Sequence, residues 1–226
     1  MASHRKKSVR YQQIRDDINV VEETMELFNQ IKGNWNTLFF KNENPIVLEL
    51  ACGRGEYSVG LGRLNPNKNY IGIDIKGERI AVGSKIANEE NLKNIGFLRA
   101  KIQQLQDFFA ESEISEIWIV FPDPRTKGAD ARRRLTHPRF LNIYNNILID
   151  KGKLFLKTDS TSLFEYSRQT LPENNFNILD STTNLYQSHL LEKHCGIKTH
   201  YENLFSSQGF DINYLEAVLN KKGLSK

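Results

Sequence analysis

The sequence predicts an α/β fold: a doubly wound, mostly parallel sheet with helices on both faces, closed by a late antiparallel hairpin. Two observations carry this. From Pro45 onward, short β-branched runs alternate with helical stretches, and the last two strand candidates have no convincing helix between them. A length of 226 residues, 39% of them hydrophobic and 26% charged, suits one substantial domain with modest extensions.

Residues 1–17 are polar, basic and aperiodic, and are expected to form a mobile arm; residues 18–226 are expected to form the single domain. Val20, Val21, Met25, Leu27, Phe28 and Ile31 make a broad apolar stripe that predicts a helix ending at Gly33. The strand candidates follow at Ile46–Leu50, Tyr70–Ile75, Ile95–Leu98, Ile117–Phe121 and Leu154–Leu156. Thr136 and Pro138 read as the N-cap and first turn of a helix that turns Phe140, Ile143, Tyr144 and Ile147 toward the core. Phe176–Leu179 and Ile212–Leu219 are the closing strands, and the polar stretch from Ser181 to Ser207 reads as loop. The chain shows neither internal repeats nor low-complexity segments.

Charge and cysteine usage exclude several classes. Cys52 and Cys195 lie far apart without CxxC or Cys/His spacing, so neither a disulfide framework nor a metal site is expected. The start, Met1 to Lys7, leads into no apolar stretch, and no run is long enough to span a membrane; a cytoplasmic protein is expected. The net charge of +4 is mild, but its distribution is uneven. His4, Arg5, Lys6, Lys7, Arg10 and Arg15 load the N-terminus, while Arg125, Lys127, Arg132, Arg133, Arg134 and Arg139 load one central segment. Clustering of this kind, not the net charge, marks a nucleic-acid binder.

Ile46 to Glu56 reads as a buried strand, a glycine turn and a helix start. Gly53 and Gly55 let the backbone turn sharply and approach a ligand closely. Asp74 ends the next strand, 19 residues past Gly55, where a ribose-binding carboxylate belongs. Glu49 at the strand end and Glu56 at the helix start would repel a pyrophosphate but suit the ammonium and sulfonium of S-adenosylmethionine. That weighs against a nicotinamide dinucleotide and its oxidoreductase chemistry. A plain strand-to-helix connection is the structural alternative.

Ile117 to Lys127 runs from a buried strand into Pro122-Asp123-Pro124, where both prolines fix φ and hold Asp123 just past the strand's carboxyl end. Ligands bind at that edge of an open α/β sheet. The arginines that follow, Arg132, Arg133 and Arg134, are a solvated face on the bland reading and a grip on an RNA backbone on the sharper one. Lys151 to Asp159 is a further strand. Asp159 is by default the N-cap of the next helix, and it is released for another task only if Ser160 takes over the cap.

At these residues the sequence resembles the bacterial tRNA (guanine-N7-)-methyltransferases. The resemblance covers roughly Pro45 to Leu219 and rests on Leu48 to Gly55, Phe121 to Pro124 with its trailing arginines, Lys157 to Asp159, and Lys198 to Glu202. It implies a class I methyltransferase (Rossmann-like) fold, with a mostly parallel seven-stranded sheet and an antiparallel C-terminal strand. It implies S-adenosyl-L-methionine as methyl donor and, as acceptor, N7 of guanine in the variable loop of tRNA, at tRNA position 46. By the same resemblance Glu49, Asp74 and Asp123 contact the cofactor and Asp123 is catalytic, while Gly53 and Gly55 join the cofactor site on the turn reading above. The resemblance also gives Lys127, Asp159, Thr199 and Glu202 to the substrate nucleoside; Arg132, Arg133 and Arg134 are expected on the RNA backbone from their charge and place after the turn. No metal and no obligate protein partner is implied. The chain departs from the family pattern at Ala51, where glycine is usual, at Arg125-Thr126, where Trp-Pro is usual, and at Lys101, where many members carry an acid. Gln103 or backbone near Ile102 is then left to meet the adenine. A catalytically inactive tRNA-binding protein of the same fold, or a methyltransferase acting on another RNA, is the alternative.

Overall fold

The computed structural model describes residues 17–200, 202 and 211–221, so the basic arm falls almost wholly outside the described residues. The chain falls into two compact units, Met1–Ala110 and Glu111–Lys226.

The first unit holds strands β1 (Val20–Val21), β2 (Ile46–Leu50), β3 (Asn69–Asp74) and β4 (Ile95–Arg99) in the order β1-β4-β3-β2, all parallel. Helix α1 (Glu56–Leu64) connects β2 to β3 and helix α2 (Gly77–Glu89) connects β3 to β4. Every residue of β2 and β3 is buried, which is why these strands read as continuous apolar runs instead of alternating ones. The helix expected over Val20–Ile31 does not form. Val20 and Val21 pair with Phe97 and Leu98 as an edge strand, and only Glu26–Asn29 makes a 3₁₀ turn. Two β-branched residues lose less side-chain freedom in a strand than in a helix, and β4 offers them a ladder partner. Trp35–Phe40 then forms a π-helical turn. Its Trp35 stacks on Phe109 with centroids 5.5 Å apart and donates its indole N–H to the Phe108 carbonyl at 2.9 Å.

The second unit holds β5 (Ile114–Val120), β6 (Leu148–Thr158), β7 (Phe176–Thr182) and β8 (Asn213–Leu219) in the order β5-β6-β8-β7. β5 and β6 are parallel, while β8 runs antiparallel to both β6 and β7. The expected late antiparallel strand is thus present as β8. Eight strands stand among the described residues where seven were expected, the two-residue β1 being the addition. Helix α3 (Pro138–Ile147) carries Pro138 at its first position, but its N-cap is His137, whose ring nitrogen accepts from Arg139 N. Thr136, expected to cap, instead meets Ser167 Oγ at 2.8 Å in the interior. The face of α3 bearing Phe140, Tyr144 and Ile147 is buried as expected, with Ile143 half-buried. Helix α4 (Thr161–Glu173) follows β6. The stretch after β7 contains two 3₁₀ turns, Leu185–Gln187 and His189–His194, which sink Leu185 and Leu190 completely. Among the described residues no helix is long and apolar enough to cross a membrane.

Candidate active site

In the first unit the carboxyl ends of β2, β3 and β4 face one edge and carry Glu49, Asp74 and Lys101. The turn after β2 reverses the chain through three positive-φ residues, Ala51 (54°), Gly53 (56°) and Gly55 (69°). The two glycines do different work. A Cβ on Gly55 would lie 2.4 Å from the Phe97 ring, so this glycine lets the turn press against β4. A Cβ on Gly53 would meet nothing within 4 Å, so Gly53 borders open space, as a backbone meant to approach a ligand should. Its N–H donates to Asp74 Oδ2 at 3.0 Å, and Lys76 N donates to Oδ1 at 2.9 Å, so Asp74 is held by the turn it faces. Ala51 spends a side-chain-bearing residue where glycine would be at ease, a larger departure in backbone terms than its one extra carbon suggests.

Glu49 is buried, and its Oε2 accepts from Ser58 N at 2.7 Å and Ser58 Oγ at 2.6 Å. Burial pushes its pKa up to about 7 against the pull of these two bonds, with Glu56 and Asp74 adding repulsion. A buried carboxylate that desolvation and neighbouring negative charge make costly to ionise favours a cation beside it. Beside it lies a cavity of about 540 Å³ whose lining includes Phe28, Ile75, Ala100, Phe108, Lys101 and Gln104. Ile75 directly follows Asp74, so a nucleoside whose ribose meets Asp74 can reach a cavity where Phe28, Ile75, Ala100 and Phe108 are interleaved with charged Glu23, Arg99 and Asp107. Lys101 and Gln104 line this cavity, whereas Gln103 is not part of its lining.

In the second unit, Val120 of β5 pairs with Lys157 of β6, so Asp123 and Asp159 both follow the carboxyl ends of adjacent parallel strands. Phe121 and Arg125, on either side of Pro122-Asp123-Pro124, have φ of 46° and 47°. Neither is glycine, and such residues persist only where their surroundings over-determine them. Phe121 N donates to the Lys157 carbonyl at 2.8 Å. Asp123, whose side chain is 61% exposed, accepts from Arg125 N at 3.1 Å and faces Arg125 Nε at 3.3 Å. Ser160 is the N-cap of α4, its Oγ accepting from Leu163 N at 3.3 Å, so Asp159 is relieved of capping and stays half-exposed.

Thr199 and Glu202 are brought together, but inward. Glu202 N donates to Thr199 Oγ1 at 3.1 Å and Thr199 N faces Glu202 Oε2 at 3.4 Å, the reciprocal pattern of a capping box at a helix start. Glu202 is fully buried, 2.6 Å from the Lys157 ammonium and 2.5 Å from the Tyr186 hydroxyl. Burial lowers the Lys157 pKa to about 8 even though Glu202 pushes it back up. Lys157 and Tyr186 were not singled out from the sequence. The T-x-x-E spacing of Thr199 and Glu202 was the one available signal that these residues cap a helix.

The arginine run divides. Arg132 and Arg133 are exposed, Arg133 pairing with Asp130 at 3.3 Å, and Lys127 is exposed just before them. Arg134 is half-buried, with Nε and Nη2 donating to the Arg125 carbonyl at 3.3 and 3.2 Å and its guanidinium 4.4 Å from the Tyr166 ring centroid. Among the described residues no group of His, Cys, Asp and Glu is arranged to hold a metal ion.

Acids at the carboxyl ends of parallel strands, with a glycine turn opening onto free space, are where α/β proteins of the doubly wound class hold their ligands. The family described as "Putative methyltransferase" matches residues 43–215. A tRNA (guanine-N(7)-)-methyltransferase of Cytophaga hutchinsonii is 43% identical over 94% of this chain and 96% of its own length. Enzymes of the same name from Porphyromonas gingivalis and Clostridioides difficile are 46% and 37% identical, over 84% and 90% of this chain and 78% and 89% of theirs. The chain belongs to the bacterial tRNA (guanine-N7-)-methyltransferase family. Among solved structures, the 16S rRNA methyltransferase KamB matches with TM-score 0.63 at 16% identity, covering 88% of this chain and 95% of that one. The [4+2]-cyclase SpnF matches with TM-score 0.57 at 14% identity, over 85% of this chain and 81% of its own. These two likenesses concern the fold alone, and their different reactions show how little the fold dictates chemistry.

Proposed function

We propose that this protein transfers a methyl group from S-adenosyl-L-methionine to N7 of the guanine at position 46 in the variable loop of tRNA. The observation that carries this reading is the pair Asp123 and Asp159 at the carboxyl ends of two adjacent parallel strands, neither of them buried. The near full-length likeness to enzymes of that name supports it. The reaction's substrate implies a cytoplasmic protein.

The residues of the first unit suit the donor. The open face of Gly53, the ribose-ready Asp74, the cation-favouring Glu49 and the neighbouring cavity are the groups that would hold it. The donor supplies a methyl group on a positively charged sulfur. Guanine N7 already exposes a lone pair, so the protein need not remove a proton first; its task is placement and charge stabilisation. Asp123 supplies negative charge next to a purine that becomes cationic on methylation. Asp159 accepts from guanine N1–H and the exocyclic amine, a pairing adenine cannot offer. Asp159 is preferred to Glu202 in this role because Glu202 is buried against Lys157 and Tyr186. Thr199 and Glu202 serve the substrate side by bonding to each other and anchoring the Lys157 ammonium of β6. Lys127, Arg132 and Arg133 grip RNA phosphates, so tRNA affinity falls steeply with salt.

The test is labelled methyl transfer to unmodified tRNA, followed by chemical cleavage at N7-methylguanosine, with a tRNA carrying adenine at position 46 as control. Asp123→Ala is expected to lower turnover by about 10²–10³-fold. Turnover that survives in this variant, or cleavage at another guanine, overturns the assignment.

A further inference from the structure

The three consecutive arginines invite a single role, contact with RNA phosphates, but Arg134 is engaged by the protein itself. Its Nε and Nη2 converge on one acceptor, the Arg125 carbonyl, at 3.3 and 3.2 Å. Its planar guanidinium lies 4.4 Å from the centre of the Tyr166 ring on α4. A fork on one side and a stack on the other fix this side chain far more firmly than a solvated arginine.

The residue it holds is the unusual one. Arg125 adopts φ 47° without being glycine. In that conformation its N–H reaches Asp123 Oδ1 at 3.1 Å and its Nε reaches Oδ2 at 3.3 Å, so both oxygens of the carboxylate are aimed by one residue. A side-chain-bearing residue stays in this region only when its neighbours leave no alternative. The hold of Asp123 on its N–H at one end and the grip of Arg134 on its carbonyl at the other supply that constraint.

We propose that Arg134 is a positioning residue for Asp123, acting through the backbone of Arg125, and is not a phosphate contact like Arg132 and Arg133. The proposal rests on the reading of Asp123 as the carboxylate that serves methyl transfer. Without Arg134, Arg125 relaxes to negative φ, its N–H leaves Asp123, and the carboxylate is free to rotate away from the acceptor. Tyr166 belongs to the same chain of contacts, since it fixes the plane of the guanidinium.

The experiment measures single-turnover methyl transfer at saturating tRNA, together with tRNA Kd over a series of salt concentrations. Arg134→Ala is expected to slow transfer by about tenfold or more while leaving Kd within about twofold and the salt slope unchanged. Arg133→Ala is expected to raise Kd and reduce the slope by about one. The decisive arm uses Arg125→Gly, because glycine takes positive φ without strain. In that background, Arg134→Ala is expected to slow transfer by no more than about threefold. Equal slowing in both backgrounds overturns the proposal. So does an Arg134→Ala protein that transfers normally at saturation but binds tRNA weakly with a reduced slope. Should Arg134→Ala fail to fold, Arg134→Lys keeps the charge but not the fork, and is expected to lose rate and retain affinity. Asp123→Ala separates the two levels. If it stays active, the role given to Asp123 is wrong; if it is inactive while Arg134→Ala shows only a binding defect, that role stands and this proposal falls.

Discussion

The turns that follow β2 and β5 at their carboxyl ends are made by opposite means. After β2, positive φ falls on two glycines and one alanine, so strain in the backbone is confined to Ala51. After β5, positive φ falls on Phe121 and Arg125, with Pro122 and Pro124 between them. That turn is held from outside, at Phe121 by the Lys157 carbonyl and at Arg125 by the Arg134 fork. The difference matches what each turn presents. The first offers bare backbone and open space, which glycine supplies by lacking a side chain. The second offers one carboxylate aimed in one direction, and here side-chain-bearing residues are braced from outside.

The largest effect expected beside the second turn belongs to Lys157→Met, which leaves the Lys157 carbonyl in place for Phe121. It removes the ammonium 2.6 Å from the buried Glu202, and is expected to destabilise the protein by about 3–5 kcal/mol in urea unfolding. Adding Glu202→Gln should recover part of that loss, because the buried charge is then gone. Loss of less than about 1 kcal/mol would show that the pair is not holding this region together.

In the first turn the corresponding buried charge is Glu49, and its penalty has a pH signature. Its folded pKa of about 7 lies above the ordinary value of 4.5. Between those values the folded state holds a proton that the unfolded state has released. Stability from this group is therefore complete below the ordinary value and is lost as pH rises through about 7. Glu49→Gln keeps an acceptor for Ser58 and is expected to stabilise the ligand-free protein by about 3 kcal/mol at pH 8 and by little at pH 5. The same variant should bind S-adenosyl-L-methionine more weakly. Equal melting temperatures of the two proteins at pH 8 would contradict the burial argument.

The glycines of the first turn can be separated. Gly55→Ala meets both a positive φ and the Phe97 ring at 2.4 Å, and should cost about 2 kcal/mol or more. Gly53→Ala meets only the backbone strain, about 1 kcal/mol, but places a methyl in the open space and should raise the KM for the methyl donor more than Gly55→Ala does. The smallest effect belongs to Ala51→Gly. It relieves the strain at φ 54° while adding unfolded-state freedom, for a net gain of about 0.5 kcal/mol readable as a small rise in Tm.

Much of this protein was determined by local chemistry alone. Ile46–Leu50 is a strand at the boundaries its apolar run predicts, because a strand buried on both faces leaves a continuous signature. The glycine turn, Asp74 at the end of β3 and Asp123 held between prolines follow from φ preferences that act within a few residues. Tertiary structure decided the rest. Val20 and Val21 became an edge strand because Phe97 and Leu98 lay open beside them, and no pattern within the segment records that neighbour. Asp159 was released because Ser160 took the cap, a choice between adjacent residues that either could have filled. Glu202 turned inward to a lysine on β6, and Arg134 left its two neighbours to hold a carbonyl. Local sequence sets what each backbone segment can do, whereas the direction of a charged side chain depends on partners that only the folded chain brings near.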